Sequence, residues 1–222
     1  MNSKILALFD FCETITDFQT LERYLPFIGR HNRHYSRLQN ALRRRIYRVR
    51  NIIRRRILHK PAIEYPRFEM FIGFSYERAK ALAQDFVKSE VLPNLNPLVI
   101  QKLHYHQQMG HTIVIVSGGL SIYIEEFAKL FDIRHVVAVD LEVKSGKLTG
   151  NIDGIHTMQE RKLYKLDDML DLSKYDLPNS YAYSDCASDV PLLSLVGNPC
   201  VIECGKNLRW AEMLHLPTMK GK

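Results

Sequence analysis

Short apolar runs alternate with amphipathic patterns along most of this chain. The runs are three to six residues long, and each is followed by an acidic residue or a serine. Such runs are typical of parallel strands that are buried on both faces. Between them, apolar residues recur at steps of three and four positions, which predicts helices with one buried face. The predicted strands are 4–9, 112–116, 135–139, 180–183 and 200–202, with two further short strands around the turn at 144–147.

The helical patterns fall into two groups. One group alternates with the strands, whereas residues 18–90 are helical in pattern throughout, with breaks at Pro61 and Pro66. Alternating strands and helices predict an α/β fold with a doubly wound, parallel, Rossmann-like sheet. We therefore expect a core of residues 1–17 and 91–222, interrupted by an inserted helical cap. The predicted core helices are 98–109, 120–131, 158–170, 189–195 and 207–214, and the last cap helix is 75–89.

Three polar residues stand at the ends of predicted strands: Asp10, Ser117 and Asp185. In a doubly wound sheet, ligands bind at the carboxyl ends of the parallel strands. The predicted fold therefore brings together three residues that lie far apart in sequence. This edge of the sheet is the first candidate for a functional site.

Composition narrows the class of protein. The chain has 222 residues, of which 46% are hydrophobic, which is enough for a sizeable core and argues against disorder. No apolar run approaches the ~20 residues that a membrane-spanning helix needs, and the N-terminal segment is a poor secretory signal. The four cysteines form no disulfide framework. We therefore expect a cytoplasmic protein, with peripheral contact to a membrane left open.

The positive charge of the chain is concentrated in the predicted cap. The net charge is +7, yet twelve of the 31 lysines and arginines lie between Arg30 and Lys60, a stretch without Asp or Glu. Eight arginines lie between Arg43 and Arg56 alone. They fit three interpretations: a solvated helix face, a site for an anionic ligand, or a basic amphipathic surface for an anionic membrane. No recognition motif accompanies the charge, so nucleic acid is not an expected partner.

The predicted sheet edge carries the groups that a phosphate and a hard cation require. Asp10 and Asp185 supply the oxygen ligands that Mg2+ prefers. Ser117 and the two glycines after it lead into a predicted helix, so their hydroxyl and backbone N–H groups could bind an anion. Lys162 could neutralise charge on a transferred phosphoryl group. These residues predict a phosphate and Mg2+ site with a carboxylate that could act as a nucleophile.

Each of these residues also has a simpler interpretation. A strand-end aspartate often caps the next helix, which applies to Asp185 and to Asp189. Ser117 could merely begin its helix. Lys165 lies one turn after Lys162, and either lysine could be a solvated surface charge. The functional interpretation is favoured if the segments that contain these residues together match the motifs of one known family.

Four segments near the predicted strand ends form an ordered set. They are FDFCETIT at 9–16, VSGG at 116–119, LTGNIDG at 148–154 followed by ERK at 160–162, and YSDCASDVPLL at 183–193. In this order they resemble the four motifs of haloacid dehalogenase-like phosphatases, in the branch that contains phosphoserine phosphatase. The first motif of that family is usually DxDxT. The position of the helical cap matches that branch as well, although the cap sequence gives no specific match.

The resemblance implies a phosphoryl-transfer role for four residues. Asp10 would be the nucleophile and form an aspartyl-phosphate. Ser117 and the backbone N–H of Gly118 would hold the phosphoryl oxygens. Lys162 would steady Asp10 and the transferred group.

The resemblance also implies a Mg2+ site. Asp10 and Asp185 would hold the ion, together with the backbone carbonyl of Cys12. Asp189 would orient Lys162 or a metal-bound water, and Thr14 would support the loop of the first motif.

Cys12 departs from the family pattern, which has a second aspartate there as general acid and base. A free thiol has a pKa of about 8.5, against about 3.9 for aspartate, so it is a poorer proton donor and acceptor in this role. General acid–base help is typically worth ~10²–10⁴-fold in rate. The departure therefore predicts slow turnover, or a substrate with a good leaving group.

The resulting expectation is a Mg2+-dependent phosphatase. Its partner would be a phosphorylated anionic small molecule, such as a phosphosugar, a nucleotide-sugar or a lipid head-group phosphate, because the cap is rich in arginine. A weakened or inactive phosphate-binding module that docks on a membrane or an acidic partner is the alternative. A phosphotransferase with an acceptor other than water is a further one.

Overall fold

A central seven-stranded sheet organises the molecule. The computed structural model describes residues 4–31, 37–61, 66–154 and 161–221. The strands are β1 (Leu6–Phe9), β2 (Thr112–Leu120), β3 (His135–Lys144), β4 (Lys147–Asp153), β5 (Tyr181–Ser184), β6 (Asn198–Glu203) and β7 (Thr218–Lys220). Their spatial order is β4-β3-β2-β1-β5-β6-β7. All neighbouring pairs are parallel except β3 and β4, which confirms the predicted α/β class with a largely parallel sheet.

Helices cover the sheet and occupy the long segment between β1 and β2. They are α1 (Thr20–His31), α2 (Arg37–Arg56), α3 (Tyr76–Phe86), α4 (Pro97–Gln108), α5 (Ser121–Leu130), α6 (Arg161–Met169), α7 (Val190–Leu193) and α8 (Arg209–Met213). Residues 158–160, which belong to the predicted helix 158–170, lie outside the described residues, as does Glu160 of the third motif.

The central strand β1 shows why the sheet is buried on both faces. Leu6 and Leu8 point to one face, where they join a core cluster with residues of α6, α7 and α8. Ala7 and Phe9 point to the other face and join a larger cluster that includes α4 and α5. All four side chains are fully buried. Alternate residues of a strand face opposite sides, so only a continuous apolar run can occupy this position.

Two helices of the segment between β1 and β2, α1 and α3, share the larger core with the sheet. Tyr24 of α1 lies with its ring centroid 4.7 Å from that of Tyr123 in α5 and 4.9 Å from that of Phe86 in α3. Phe86 and Tyr123 are 5.6 Å apart. Such aromatic contacts bury large areas and favour a fixed packing. By contrast, none of the described side chains of α2 belongs to the buried core.

Three expectations from the sequence were wrong in detail. β2 does not end at Val116 but continues to Leu120, which pairs with β3 after an irregularity in the register. β7 was not predicted, because three residues at a sheet edge are too few for a periodic pattern. Residues 18–90 are not helical throughout: between α2 and α3 the described chain forms turns and one short 3-10 helix at Glu69–Phe71. Pro66 and the positive φ of Gly73, 76°, explain that interruption.

Buried His106 makes the stability of the fold depend on pH. Its Nδ1 lies 2.7 Å from Nδ1 of His111, and its Nε2 lies 3.0 Å from the hydroxyl of Tyr183. Burial, with smaller contributions from His111 and Lys102, lowers the pKa of His106 to about 4. The histidine is therefore neutral in the fold, whereas it gains a proton in the unfolded chain below ~6.5. We expect the contribution of His106 to the free energy of unfolding to fall by up to about 3 kcal/mol as pH falls from ~6.5 to ~4. Asp10, whose raised pKa lets it take up a proton in the fold over the same window, acts in the opposite direction.

Urea unfolding at a series of pH values measures this effect. His106→Asn removes only the contribution of His106, so the difference in free energy of unfolding between the wild type and this variant should change by up to about 3 kcal/mol across that window, whatever the stability of the variant at neutral pH. His104→Asn, an exposed change on the same helix, is the matched control. An equal pH slope in the wild type and in His106→Asn would show that the stability change has another source.

Candidate active site

Four segments converge on a cavity at the carboxyl ends of the strands. Asp10 follows β1, Ser117 lies in β2, Asp185 follows β5, and α6 brings Lys162 to the same edge. All four side chains line a cavity of about 270 Å³. The sequence prediction that these distant residues meet at one edge therefore agrees with the structure. Cys12, Gly118 and Asp189 line the same cavity.

Lys162 holds two buried carboxylates. Its Nζ donates to Oδ1 of Asp10 at 3.0 Å and to both carboxylate oxygens of Asp189 at 2.7 and 2.8 Å. Asp189 also accepts from the hydroxyl of Ser184 at 2.7 Å. The three charged residues are only 2 to 5% exposed. This arrangement selects Lys162 over Lys165, which donates instead to a carbonyl and a carboxylate of β3.

Asp10 is a buried carboxylate that lines the cavity. Burial raises its pKa to about 7, although the nearby ammonium of Lys162 acts in the opposite direction. Asp189 and Asp185 also contribute to this raised pKa, because each places another negative charge nearby. Lys162 contacts Asp10 and Asp189, whereas the third carboxylate, that of Asp185, has a different ammonium partner.

The donor atoms at the cavity floor fit Mg2+. The hydroxyl of Thr14 joins two carboxylates, since it lies 3.5 Å from Oδ2 of Asp10 and 3.3 Å from Oδ1 of Asp185. Hard cations prefer such oxygen ligands, and Mg2+ commonly uses one or two carboxylates and keeps several waters. In the described ranges no group of three or more His, Cys, Asp or Glu side chains forms a metal site. Asp10 and Asp185 are the two carboxylates that Thr14 brings together, and the resemblance adds the backbone carbonyl of Cys12 as a further ligand.

Asp189 is committed to other partners. Both of its oxygens accept from Lys162, and one also accepts from Ser184. Of the two roles that the resemblance implied for Asp189, this geometry favours the orientation of Lys162.

The loop after β1 places Cys12 against the cavity. Glu13 has a φ of 55°, which turns the chain sharply after Cys12. The thiol of Cys12 lies 2.9 Å from the hydroxyl of Thr20, which in turn lies 2.9 Å from that of Tyr123. Burial and then the charge of Asp10 raise the pKa of Cys12 to about 11. The thiol is therefore protonated at neutral pH and cannot act as a general base there.

Ser117 and Gly119 shape the opposite wall of the cavity. The hydroxyl of Ser117 accepts from the backbone N–H of Gly119 at 3.1 Å. A side chain at position 119 would bring its Cβ within 2.5 Å of the hydroxyl of Tyr123. Glycine is therefore required at this position by the close approach of Tyr123.

Lys206 was not singled out by the sequence analysis. It follows β6, and its Nζ donates to Oδ2 of Asp185 at 2.6 Å and to the carboxylate of Glu13. The sequence could have indicated this residue, because it follows a predicted strand, and the end of β6 lies at the same sheet edge as the ends of β1 and β5. The ammonium group supplies one positive charge beside the carboxylate that would bind Mg2+.

Arg67 is a second residue that the sequence analysis missed. It lines the cavity together with Phe68, from the segment between α2 and α3. Among the residues that the structure describes, none from α2 lines this cavity. The arginine-rich segment from Arg43 to Arg56 is therefore not the source of positive charge at this cavity.

The fold and the site together define an α/β protein with a polar site at the carboxyl ends of its parallel strands, on both sides of β1. The chain belongs to the haloacid dehalogenase-like hydrolase family, whose model matches residues 7–194. This match confirms the resemblance deduced from the four motifs.

Named relatives support the phosphatase branch of that family. The chain is 28% identical over 135 residues to histidinol-phosphatase from Neisseria meningitidis, a match that covers 58% of this chain and 60% of the relative. It is 31% identical over 99 residues to phosphoserine phosphatase from Streptococcus thermophilus, which covers 45% of each chain. The matches to the first curated relatives span 48 to 60% of the length of those proteins.

A solved structure extends the likeness in fold to nearly the whole chain. A protein of unknown function from Bordetella pertussis superposes with a TM-score of 0.76 at 22% identity, covering 98% of this chain and 99% of that one. Phosphoserine phosphatase in its apo form superposes with a TM-score of 0.58 at 18% identity, covering 91% and 88%. At these identities the superpositions show a shared fold.

Proposed function

We propose that this chain is a Mg2+-dependent phosphatase that hydrolyses a phosphomonoester of an anionic small molecule through an aspartyl-phosphate. One observation carries the proposal. The buried carboxylate of Asp10 lies 3.0 Å from Nζ of Lys162, in a cavity that Ser117 and Arg67 also line. A desolvated carboxylate beside a fixed ammonium group is suited to attack phosphorus while the negative charge of the phosphoryl group is neutralised.

The reaction would proceed in two steps on the residues of this chain. A carboxylate oxygen of Asp10 attacks phosphorus, a new P–O bond forms, and the bond to the leaving oxygen breaks. The leaving oxygen takes its proton from solvent, because no carboxylic acid stands at position 12. Lys162 holds Asp10 in place and stabilises the charge on the phosphoryl oxygens, while Ser117 and the N–H of Gly118 bind those oxygens. Water then attacks phosphorus and gives up a proton to solvent. The bond between phosphorus and the Asp10 oxygen breaks, which releases phosphate and restores the carboxylate of Asp10.

Mg2+ would be held by Asp10, Asp185 and the backbone carbonyl of Cys12. When bound, it would neutralise charge on the phosphoryl oxygens and offset the repulsion between the carboxylates. Asp189 keeps the ammonium of Lys162 directed at Asp10 throughout.

The size and charge of the cavity support a small anionic substrate. A volume of about 270 Å³ lies just below the range that is usual for drug-sized ligands. Arg67 offers a planar, permanently charged group that suits a second phosphate or a carboxylate. The relatives named histidinol-phosphatase and phosphoserine phosphatase act, by their names, on small phosphorylated amino compounds. We propose that Arg67 binds an additional anionic group of the substrate and so determines selectivity for it.

Arg67→Gln is expected to raise KM for a phosphosugar that carries a second anionic group by roughly 10- to 100-fold, because one charge-assisted hydrogen bond is lost. KM for phenyl phosphate should change little, since this substrate has no second anion. Arg45→Gln, on exposed α2, is the matched control and should alter neither value. Steady-state kinetics with both substrates measure the difference, and equal effects on the two would remove Arg67 from substrate selection.

A phosphoester panel tests the proposed reaction directly. Phosphosugars, nucleotides, lipid head-group phosphates and phenyl phosphate should be compared with Mg2+ present and with the ion removed by EDTA. Turnover of at least one class that requires Mg2+ is expected. Retention of the phosphoryl group on Asp10, trapped by acid quench and located by mass spectrometry of peptides, would identify the intermediate.

The protonated thiol of Cys12 favours a second candidate function. A protein that forms the aspartyl-phosphate but releases it slowly would act as a phosphate-binding module or would pass the phosphoryl group to another acceptor. Absence of turnover across the panel, with binding of inorganic phosphate retained in calorimetry, would favour this candidate.

A further inference from the structure

Helix α2 presents an apolar stripe to solvent. Leu42, Ile46, Val49, Ile53 and Ile57, the last in the turn that follows the helix, are 43 to 69% exposed. Their spacing of three and four residues places them within about 80° of one another around the helix axis. An amphipathic helix normally turns such a stripe towards its own core. The outward stripe is therefore an apolar surface that the described residues leave exposed.

The polar side of α2 faces the protein instead. Tyr47, Asn51 and Arg54 are half-buried. Arg44 donates from Nε and Nη2 to the two carboxylate oxygens of Glu69 at 2.9 and 2.8 Å. These polar contacts fix the orientation of the helix, so the apolar stripe faces away from the body.

Exposed arginines border the stripe on both sides. Arg45 and Arg56 lie along one edge and Arg50 along the other, at about 100° per residue. From Arg37 to Arg56 the helix contains no acidic residue. Long basic side chains beside an apolar stripe can reach anionic groups while their stems cover apolar surface.

We propose that α2 docks on an anionic lipid surface, with its apolar stripe in the interface and its arginines on lipid phosphates. An anionic lipid surface matches both the apolar stripe and the arginines beside it. A second copy of the chain on the same face would bring two sets of arginines together, and a nucleic acid would leave the apolar stripe exposed. No described helix is long and apolar enough to cross a membrane, so the contact would be peripheral.

The anchoring of α2 relates this surface to the catalytic cavity. Glu69, which holds Arg44, follows directly after Arg67 and Phe68, and both of these residues line the cavity. A docked α2 would therefore hold the rim of the cavity close to the lipid surface. The docking itself does not depend on the proposed reaction, because the surface lies outside the cavity.

Vesicle co-sedimentation of the full chain tests the docking. The wild type should sediment with vesicles of phosphatidylcholine mixed with phosphatidylglycerol, and not with phosphatidylcholine alone, at near-physiological ionic strength. The double variant Ile46→Asp/Ile53→Asp should bind at least about tenfold more weakly, because two charges enter the apolar stripe. Arg45→Gln/Arg50→Gln/Arg56→Gln should bind roughly 100-fold more weakly, at about 1 kcal/mol for each arginine.

Met213→Asp is the matched control, since Met213 is a 71% exposed apolar residue outside α2. It should bind vesicles as the wild type does. Thermal unfolding and circular dichroism verify that each variant is folded, so that loss of binding is not loss of structure.

Four results would overturn the proposal. The wild type could fail to sediment with anionic vesicles, or it could sediment equally after the change in the apolar stripe. It could instead form a dimer in light scattering that Ile46→Asp/Ile53→Asp dissociates, without any vesicle binding, which would make a second copy the occupant. Tight binding to duplex DNA that survives the double variant, without vesicle binding, would assign the arginines to a nucleic acid.

Discussion

Asp10→Asn is expected to reduce kcat by roughly 10⁴-fold or more, because the amide cannot attack phosphorus. No phosphoryl group should then be recovered on the peptide that contains residue 10. The change keeps the size of the side chain, so the substrate should still bind. The loss should therefore appear in kcat far more than in KM.

The same substitution is expected to leave the fold as stable as before or more stable. Asp10 is 5% exposed, and burial raises its pKa to about 7, so its negative charge is costly in the fold. Lys162 would keep its two contacts to Asp189 at 2.7 and 2.8 Å, and no ammonium group would be left unpaired. In EDTA, the free energy of unfolding should rise by roughly 1 to 3 kcal/mol.

Urea unfolding and steady-state kinetics on the same preparations measure both effects. Asp168→Asn, an exposed carboxylate on α6, is the matched control and should change neither quantity. Opposite changes in activity and stability would be the signature of a charge retained for chemistry at a cost in stability. A strong loss of stability in Asp10→Asn would instead make Asp10 a structural partner of Lys162, and turnover near the wild-type level would remove it as the nucleophile.

The sheet edge was predictable because strand patterns are local. Asp10, Ser117 and Asp185 end or follow runs that only a buried strand explains, and parallel topology places such ends together. Lys162 depended on the resemblance, since spacing alone did not distinguish it from Lys165. The structure distinguishes them by burial and by the ion pair with Asp189.

Arg67 and Lys206 show where sequence reasoning stopped. Arg67 lies in an irregular segment without periodicity, and only the fold shows that this segment lines the cavity. Lys206 follows a predicted strand by several residues, and only the fold shows that its ammonium reaches Asp185. Conversely, the eight arginines from Arg43 to Arg56 are the most conspicuous charge cluster in the sequence. The sequence alone does not show which surface of the fold carries these charges.

Cys12→Asp is expected to raise kcat/KM for an alkyl phosphate by roughly 10²–10⁴-fold, because a general acid and base enters the position where the family has one. The thiol that it replaces has a pKa raised to about 11 and lies 2.9 Å from Thr20. Burial and the charge of Asp10, which raise the pKa of the thiol, would also raise that of a carboxyl group placed there. A carboxyl group that keeps its proton near neutral pH can donate it to the leaving oxygen.

The dependence on the leaving group distinguishes this explanation from a general improvement of the site. Phosphate esters of alcohols and phenols with a range of pKa values should be compared in the wild type, in Cys12→Asp and in Cys12→Asn. The gain should be largest for alkyl phosphates and small for p-nitrophenyl phosphate, whose leaving group needs no proton. Cys12→Asn keeps a polar side chain without an acid and should give no gain. If Cys12→Asp improved all substrates equally, the substitution would act on the binding of Mg2+ or phosphate, and if it improved none, proton transfer at this position would not limit the rate.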